Sequence, residues 1–308
     1  IMENKLYVFG HKKPDTDSIA STIVFANLQK ELGKNAVAYR LGDISKETQY
    51  ALDTFKVEAP ELLEKVEENS EVALVDHNEF AQSVEGIEKA KIKMVVDHHK
   101  VKFETTEPLY CIEEPVGCTS TILYKLYKQN DVEIEPKMAG LMLSAIVSDT
   151  LLFKSPTCTE EDKTIAKKLA EIANVDLESY GKEMLKAGTD ISEFTPFQVI
   201  NIDSKEFNDK NAKFEISQIN AVDLDSVFSR QAELEEAINK EIKEKNLDFY
   251  MFAATDILNA NSKIIAMGNK AGTVEKAFGV NLDNNTAMLN NVVSRKKQML
   301  PNILNNLD

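Results

Sequence analysis

All four histidines of this 308-residue chain fall in three short acidic segments: His11 in GHKKPDTDS, His77 in VDHNE, and His98 with His99 in VVDHHK. Each segment also carries aspartate, Asp15 and Asp17 in the first, Asp76 in the second and Asp97 in the third. Imidazole beside carboxylate is the chemistry of a transition-metal site and of acid–base work near neutral pH. One explanation covers all three segments: they converge on a single metal centre. A fourth segment, SAIVSDT, closes an apolar run on Asp149, where a carboxylate is either a helix cap or a ligand.

Within GHKKPDTDS, Pro14 opposes a continuous helix, so His11, Asp15 and Asp17 are expected on an irregular loop. Asp15 and Asp17 flank a single residue and could address two neighbouring ions rather than chelate one. The competing reading is a polar loop in which Asp17 or Ser18 caps the helix that follows. Asp76 directly follows a buried-looking run, an expensive place for an unpaired carboxylate. Adjacent His98 and His99 point to different sides, so one is expected on a metal and the other toward substrate.

The elements that must hold these groups are legible as alternation. Leu6–Phe9, Ala36–Leu41, Val72–Val75 and Met94–Val96 read as strands. Ile19, Ile23 and Ala26 recur at helical spacing, with Gly33 as a C-cap. Glu61–Asn69 and Thr119–Gln129 read as helical stretches. Strands alternating with helices imply βαβ units and a mainly parallel sheet with flanking helices. Ligands in such α/β folds collect at the carboxyl ends of strands, where the histidines and aspartates fall. Past residues 1–188 comes a linker, 189–195, and then a smaller α+β domain, 196–308. Its expected parts are a strand at Phe214–Ile219, a helix with Leu234, Ile238 and Ile242 on one face, and strands at Phe249–Ala254 and Lys263–Met267. The Asn-rich closing stretch, 281–306, still carries apolar and basic residues and is not read as disordered.

Composition narrows the function. With 43% hydrophobic and 28% charged residues the chain reads as soluble and globular. No apolar run approaches the ~18–20 residues that cross a bilayer, and charged Glu3 and Lys5 leading into a strand do not resemble a signal peptide. Cys111, Cys118 and Cys158 are odd in number and form no CxxC pair, which fits free thiols in a reducing cytoplasm. A net charge of −15 argues against nucleic-acid or anionic-membrane partners, because phosphate backbones need a basic footprint. A small anion met locally by metals and a few cations is still admitted.

GHKKPDTDS, VDHNE, VVDHH and SAIVSDT, in this order and followed by Ser294-Arg295-Lys296-Lys297-Gln298, resemble the DHH phosphoesterase superfamily. The SRKKQ segment makes the likeness closer to the family II, manganese-dependent inorganic pyrophosphatases. The resemblance spans essentially the whole chain; Lys13 departs from the small polar residue more usual there. It implies hydrolysis of pyrophosphate to two orthophosphates, with the active site between the domains. One ion would be held by His11, Asp15 and Asp76, and a second by Asp17, Asp76, His98 and Asp149. Asp76 would bridge them, and a hydroxide shared by the two ions would be the nucleophile. His99, Lys205, Arg295 and Lys296 would bind substrate, with Asp97 behind them orienting an imidazole. Domain closure would bring the cations of the second domain onto metal-bound substrate.

The mixed His/Asp donor set suits Mn²⁺ or Co²⁺, two per subunit, better than an all-oxygen Mg²⁺ site; further Mg²⁺ or Mn²⁺ would accompany substrate. The resemblance also implies a homodimer. Two rival readings stand beside it. A phosphoesterase acting on short oligonucleotides or cyclic dinucleotides is disfavoured by the lack of a GGGH-type segment. A non-catalytic metal- or phosphate-binding regulator is disfavoured by the intact SRKKQ.

Overall fold

In a computed structural model describing residues 4–308, the apolar runs of the first half align as one parallel sheet. Its strands are β1 (Leu6–Phe9), β2 (Ala36–Arg40), β3 (Glu61–Leu62), β4 (Glu71–Val75), β5 (Lys91–Asp97) and β6 (Tyr110–Glu113). Helix α1 (Thr16–Glu31) connects β1 to β2, and α2 (Lys46–Phe55) connects β2 to β3. The order across the sheet is β3-β2-β1-β4-β5-β6. From β1 the chain first builds to one side and then returns with β4 to the other, which opens a crevice at the carboxyl ends of β1 and β4. Val72 to Val75 are fully buried, as strands covered on both faces must be. Helices α3 (Thr119–Gln129), α4 (Pro136–Thr150), α5 (Glu160–Ala173) and α6 (Leu177–Gly188) complete this unit. The apolar run Ala139–Val147 is the buried body of α4.

One expected element is absent. Glu61–Asn69 is not helical: Glu61 and Leu62 pair with Tyr39 and Arg40, and Lys65 bridges to Glu85. The free edge of β2 takes these backbone groups, and sheet pairing overrides the weak helical preference of a Glu-rich stretch.

The chain divides at Gly188/Thr189 into two compact units. The second contains α7 (Pro196–Asn201), β7 (Ser204–Asp209), β8 (Ala212–Ala221), α8 (Leu224–Phe228), α9 (Gln231–Lys245), β9 (Phe249–Asp256), β10 (Asn261–Met267), α10 (Gly272–Phe278), β11 (Thr286–Asn290) and α11 (Leu300–Leu304). The sheet order is β11-β10-β9-β8-β7, mixed, with β8 and β9 parallel. Strand β9 is buried along its length and serves two cores. Tyr250, Phe252 and Ala254 face the α9 side with Leu234 and Ile238. Phe249, Met251 and Ala253 face the other side with Val274 and Met299. The period-2 alternation of a strand covered on both faces explains why this run is apolar throughout. Ile191 is buried with the first of these cores, and Arg230 donates to the carbonyls of Ile191 and Phe194.

Candidate metal centre

Three neighbouring strand ends deliver the site. After β1, Gly10 lets the strand run tightly against the start of α1, since a Cβ there would lie 1.9 Å from Ser18 Oγ. His11 follows on the loop, as expected. Asp15 is the N-cap of α1 and accepts from Ser18 N at 2.8 Å. Asp17 is not on a loop: it lies in the first turn of α1, fully buried, so the helix starts earlier than Pro14 and the two aspartates indicated. Pro14 ends before the helix, and Asp15 rather than Asp17 or Ser18 caps it. Asp76 leaves β4 in the left-handed region at φ 59°, a conformation aspartate tolerates better than most residues. Asp149 arrives from elsewhere, in the last turn of α4.

These groups surround a shared space. His11 Nε2 lies 3.3 Å from Asp76 Oδ2 and 3.5 Å from Asp15 Oδ2. His98 Nε2 lies 3.2 Å from Asp76 Oδ1, 3.5 Å from Asp149 Oδ2 and 3.8 Å from Asp17 Oδ2. Asp76 thus turns one oxygen to each imidazole. Three donor groups result, His11–Asp15–Asp76, Asp17–Asp76–His98–Asp149 and, with the half-exposed His99, Asp76–His98–His99. Asp17 is fixed by Thr119 N at 2.9 Å and Ser21 Oγ at 2.6 Å, and Thr119 Oγ1 donates to Asp76 Oδ1.

The chemistry of the donors fits divalent ions. Nδ1 of His11 is 2.7 Å from the Lys12 carbonyl, and Nδ1 of His98 is 2.9 Å from the Val116 carbonyl. A carbonyl can only accept, so each Nδ1 carries the proton and each neutral ring aims its Nε2 lone pair at carboxylates. Lone pairs facing carboxylates need a cation between them. Asp76 Oδ2 and His98 Nε2 are buried without a hydrogen-bond partner. Spacings of 3.2–3.8 Å are those of donors placed ~2.0–2.2 Å from a common ion. Without one, protons take its place. Burial opposes charge on both rings, yet the Asp15 and Asp76 carboxylates push His11 up to about 11, and Asp76 and Asp17 push His98 up to about 9. Burial and the Asp17 charge push Asp76 up to about 7, and burial with Asp17 and Asp76 drives Asp149 well above the carboxylate range.

His99 stands apart from its neighbour. It is half-exposed, with Nδ1 2.7 Å from Asp97 Oδ1, whereas His98 is nearly buried. Asp97 is fully buried and also accepts from His98 N and from Asn78 Nδ2 at 2.7 Å. His77 does not join the centre. Its ring is buried, with Nδ1 2.9 Å from the Val75 carbonyl and Nε2 2.9 Å from Ser83 Oγ. Burial lowers it to about 4, and as a neutral ring with both nitrogens engaged it has no lone pair to offer. His11, His98 and His99 line the metal space, and the segment of His77 contributes Asp76 instead.

Sequence reading missed the Val116 carbonyl, Thr119, Asn78 and Glu47. Glu47 sits half-buried at the start of α2, accepting from Thr16 Oγ1 at 2.5 Å and from Ser148. A carbonyl leaves no trace in residue type, and neither does the backbone N–H through which Thr119 holds Asp17.

In the second unit Lys205 lies on β7 opposite Ile216, and Arg295 and Lys296 open a single π-helical turn, Arg295–Met299. Lys205 and Lys296 are exposed and make no ion pair among the described residues. Arg295 pairs with Asp203, Nη2 to Oδ1, at 2.7 Å.

The sequence model of the DHH family, N-terminal domain, matches residues 5–146, and that of the DHHA2 domain matches residues 182–306. A manganese-dependent inorganic pyrophosphatase from Bacillus subtilis strain 168 is 56% identical over 299 residues, covering 96% of this chain and 97% of its own. The chain belongs to the family II inorganic pyrophosphatases. A Bacillus cytotoxicus relative is 58% identical over 96% of both chains. A Methanococcus jannaschii crystal structure ascribed to family II is 41% identical, with a TM-score of 0.66 over 98% of this chain and 99% of that one. Family II membership accounts for the parallel-sheet unit with its cluster of Asp and His donors and for the smaller second sheet. Among the described residues no helix is long and apolar enough to cross a membrane.

Proposed function

We propose that this chain hydrolyses inorganic pyrophosphate to two orthophosphates with two Mn²⁺ ions, one held by His11, Asp15 and Asp76 and the other by Asp17, Asp76, His98 and Asp149. The observation that carries this reading is the carboxylate of Asp76, buried and turned by its two oxygens to two imidazoles that each donate their Nδ1 proton elsewhere. When bound, such an ion pair offsets substrate charge and lowers the pKa of a bound water to near neutrality.

The protein's own part is positioning. Lys12 and Val116 carbonyls fix the imidazole tautomers, while Thr119 and Ser21 orient the carboxylates. Asp97 engages Nδ1 of His99 and leaves Nε2 for a phosphate oxygen. We assign Lys205, Arg295 and Lys296 to binding substrate phosphate: Arg295 by bidentate contacts, the lysines as compact charges. Water adds its oxygen to one phosphorus, the bridging P–O bond breaks, and the released phosphate takes the proton. The same reading carries a homodimer and a cytoplasmic setting, where Cys111, Cys118 and Cys158 stay free.

Phosphate release by metal-stripped protein reloaded with Mn²⁺, Co²⁺, Zn²⁺ or Mg²⁺ tests the function, with a dinucleotide as the competing substrate. Fast release from pyrophosphate with Mn²⁺ or Co²⁺ is expected. Activity only on the dinucleotide would overturn the substrate, and metal binding without turnover on either would overturn catalysis.

A further inference from the structure

The Arg295 guanidinium is not free to swing. Its Nη1 donates to the carbonyls of Asp203 at 2.9 Å and Ile216 at 3.3 Å, and its Nη2 donates to Asp203 Oδ1 at 2.7 Å. The side chain is only 11% exposed, while Asp203 is 54% exposed. A guanidinium has five N–H donors arranged on two forked edges. Asp203, through its carbonyl and its carboxylate, fills the end-on edge formed by Nη1 and Nη2. Nε–H and the remaining Nη2–H, which together form the side-on edge, have no partner among the described residues. A side-on edge presents two parallel N–H groups at the spacing of two phosphate oxygens.

We propose that Asp203 is the positioning residue of Arg295, holding it by one edge so that the other is presented, already ordered, to a phosphate. The proposal rests on the reading that Arg295 binds substrate phosphate. Lys, the usual conservative replacement, carries its three donors on one nitrogen and so has no planar edge to be held by while a second, bidentate edge faces the phosphate. Fixing the side chain beforehand removes its ordering cost from substrate binding. The carboxylate also sits where its charge tightens the grip on the guanidinium rather than facing the open edge. Neither residue type nor spacing signals this pair, since the partners are 92 positions apart.

Steady-state kinetics on pyrophosphate, with manganese content and melting temperature measured for every variant, test it. Asp203→Ala should raise KM roughly tenfold, the loss of one charge-assisted contact, with kcat, metal content and melting temperature little changed. Asp203→Asn, which keeps an Oδ1 acceptor, should fall between the two. The double variant Asp203→Ala/Arg295→Ala should have the KM of Arg295→Ala alone. An unchanged KM in Arg295→Ala would remove the underlying assignment of Arg295 to phosphate. If Arg295→Ala raises KM while Asp203→Ala does not, the positioning role alone is wrong. A lower KM in Asp203→Ala would mean that the carboxylate competes with substrate, and additive effects in the double variant would mean that Asp203 acts independently of Arg295. Either result overturns the proposal, as would a fall in kcat and melting temperature with KM unchanged.

Discussion

Replacing His77 with alanine should unfold the protein at lower temperature and leave its metal in place. The ring is 1% exposed and bonds the Val75 carbonyl and Ser83 Oγ, each at 2.9 Å. Ser83 is itself fully buried, so its hydroxyl would be left without its imidazole partner. The buried Ser83 hydroxyl, left without its partner, costs about 1–3 kcal/mol. Lost packing of the ring, which lies 6.2 Å from Phe9 centroid to centroid, adds a cavity cost, for a total of about 3–5 kcal/mol. At ~2–4 °C per kcal/mol for a unit of this size, the melting temperature should fall by roughly 6–20 °C. Calorimetry supplies the melting temperature, elemental analysis the manganese per chain, and phosphate release well below the transition the activity. Two ions per chain and turnover within a few-fold of the parent are expected. Loss of one ion with the melting temperature unchanged would refute the reasoning, because it would make His77 a ligand rather than a brace for the strand end that carries Asp76.

Gly10→Ala should lose both manganese and activity, because its Cβ would lie 1.9 Å from Ser18 Oγ and 2.9 Å from the Ser18 carbonyl, pushing the start of α1 and Asp15 away from β1; an alanine variant with full metal content would contradict this. Gln298 accepts from Val293 N and Ser294 N at 2.8 and 3.1 Å and donates to the Asn291 carbonyl at 2.7 Å. Gln298→Ala should therefore loosen the segment before Arg295, raising KM several-fold with metal unchanged, and equal kinetics with the parent would refute the staple. Burial raises the Glu47 carboxyl, against the opposing bonds from Ser148 and Thr16. Its ionisation then costs the folded state, so Glu47→Gln should match the parent below the ordinary 4.5 and gain stability over it as pH rises toward the raised folded value. A melting difference that stays flat from acid to neutral pH would sink this assignment.

The strand ends were legible because buried parallel strands leave continuous apolar runs, and a carboxylate or imidazole directly after such a run is conspicuous. Leu6–Phe9, Val72–Val75 and Met94–Val96 are all observed as strands, and their ends meet because β1, β4 and β5 are neighbours. What failed was local preference where a sheet edge was waiting: Glu61–Asn69 gave up its helix to β2. Standing next to Asp76 in sequence does not make His77 a ligand, for a related reason. His77 is acidic in company but buried in fact, and only the Val75 and Ser83 partners reveal that its nitrogens are spent. Asp203 and the Val116 carbonyl were beyond reach, since each acts on a residue distant in sequence through backbone geometry.

The centre is built against the local stability of the chain. Asp76 is held in the left-handed region, and the residues just after Asp149, namely Leu151, Leu152 and Phe153, follow one another there at φ 48°, 50° and 71°. Apolar side chains in that region are strained. Asp149 also lies in the last turn of α4, where the helix dipole disfavours a carboxylate, and burial with the carboxylates of Asp17, Asp76 and Asp15 raises it further. The turn persists because Leu152 is buried against Val147 and Gly181, a contact so close that a Cβ on Gly181 would meet Leu152 Cδ1 at 2.7 Å. Each of these features destabilises the chain alone and is offset when cations occupy the carboxylate cluster. Metal affinity and fold stability are therefore one quantity here: ions that bind only the folded state return the free energy that the site removes.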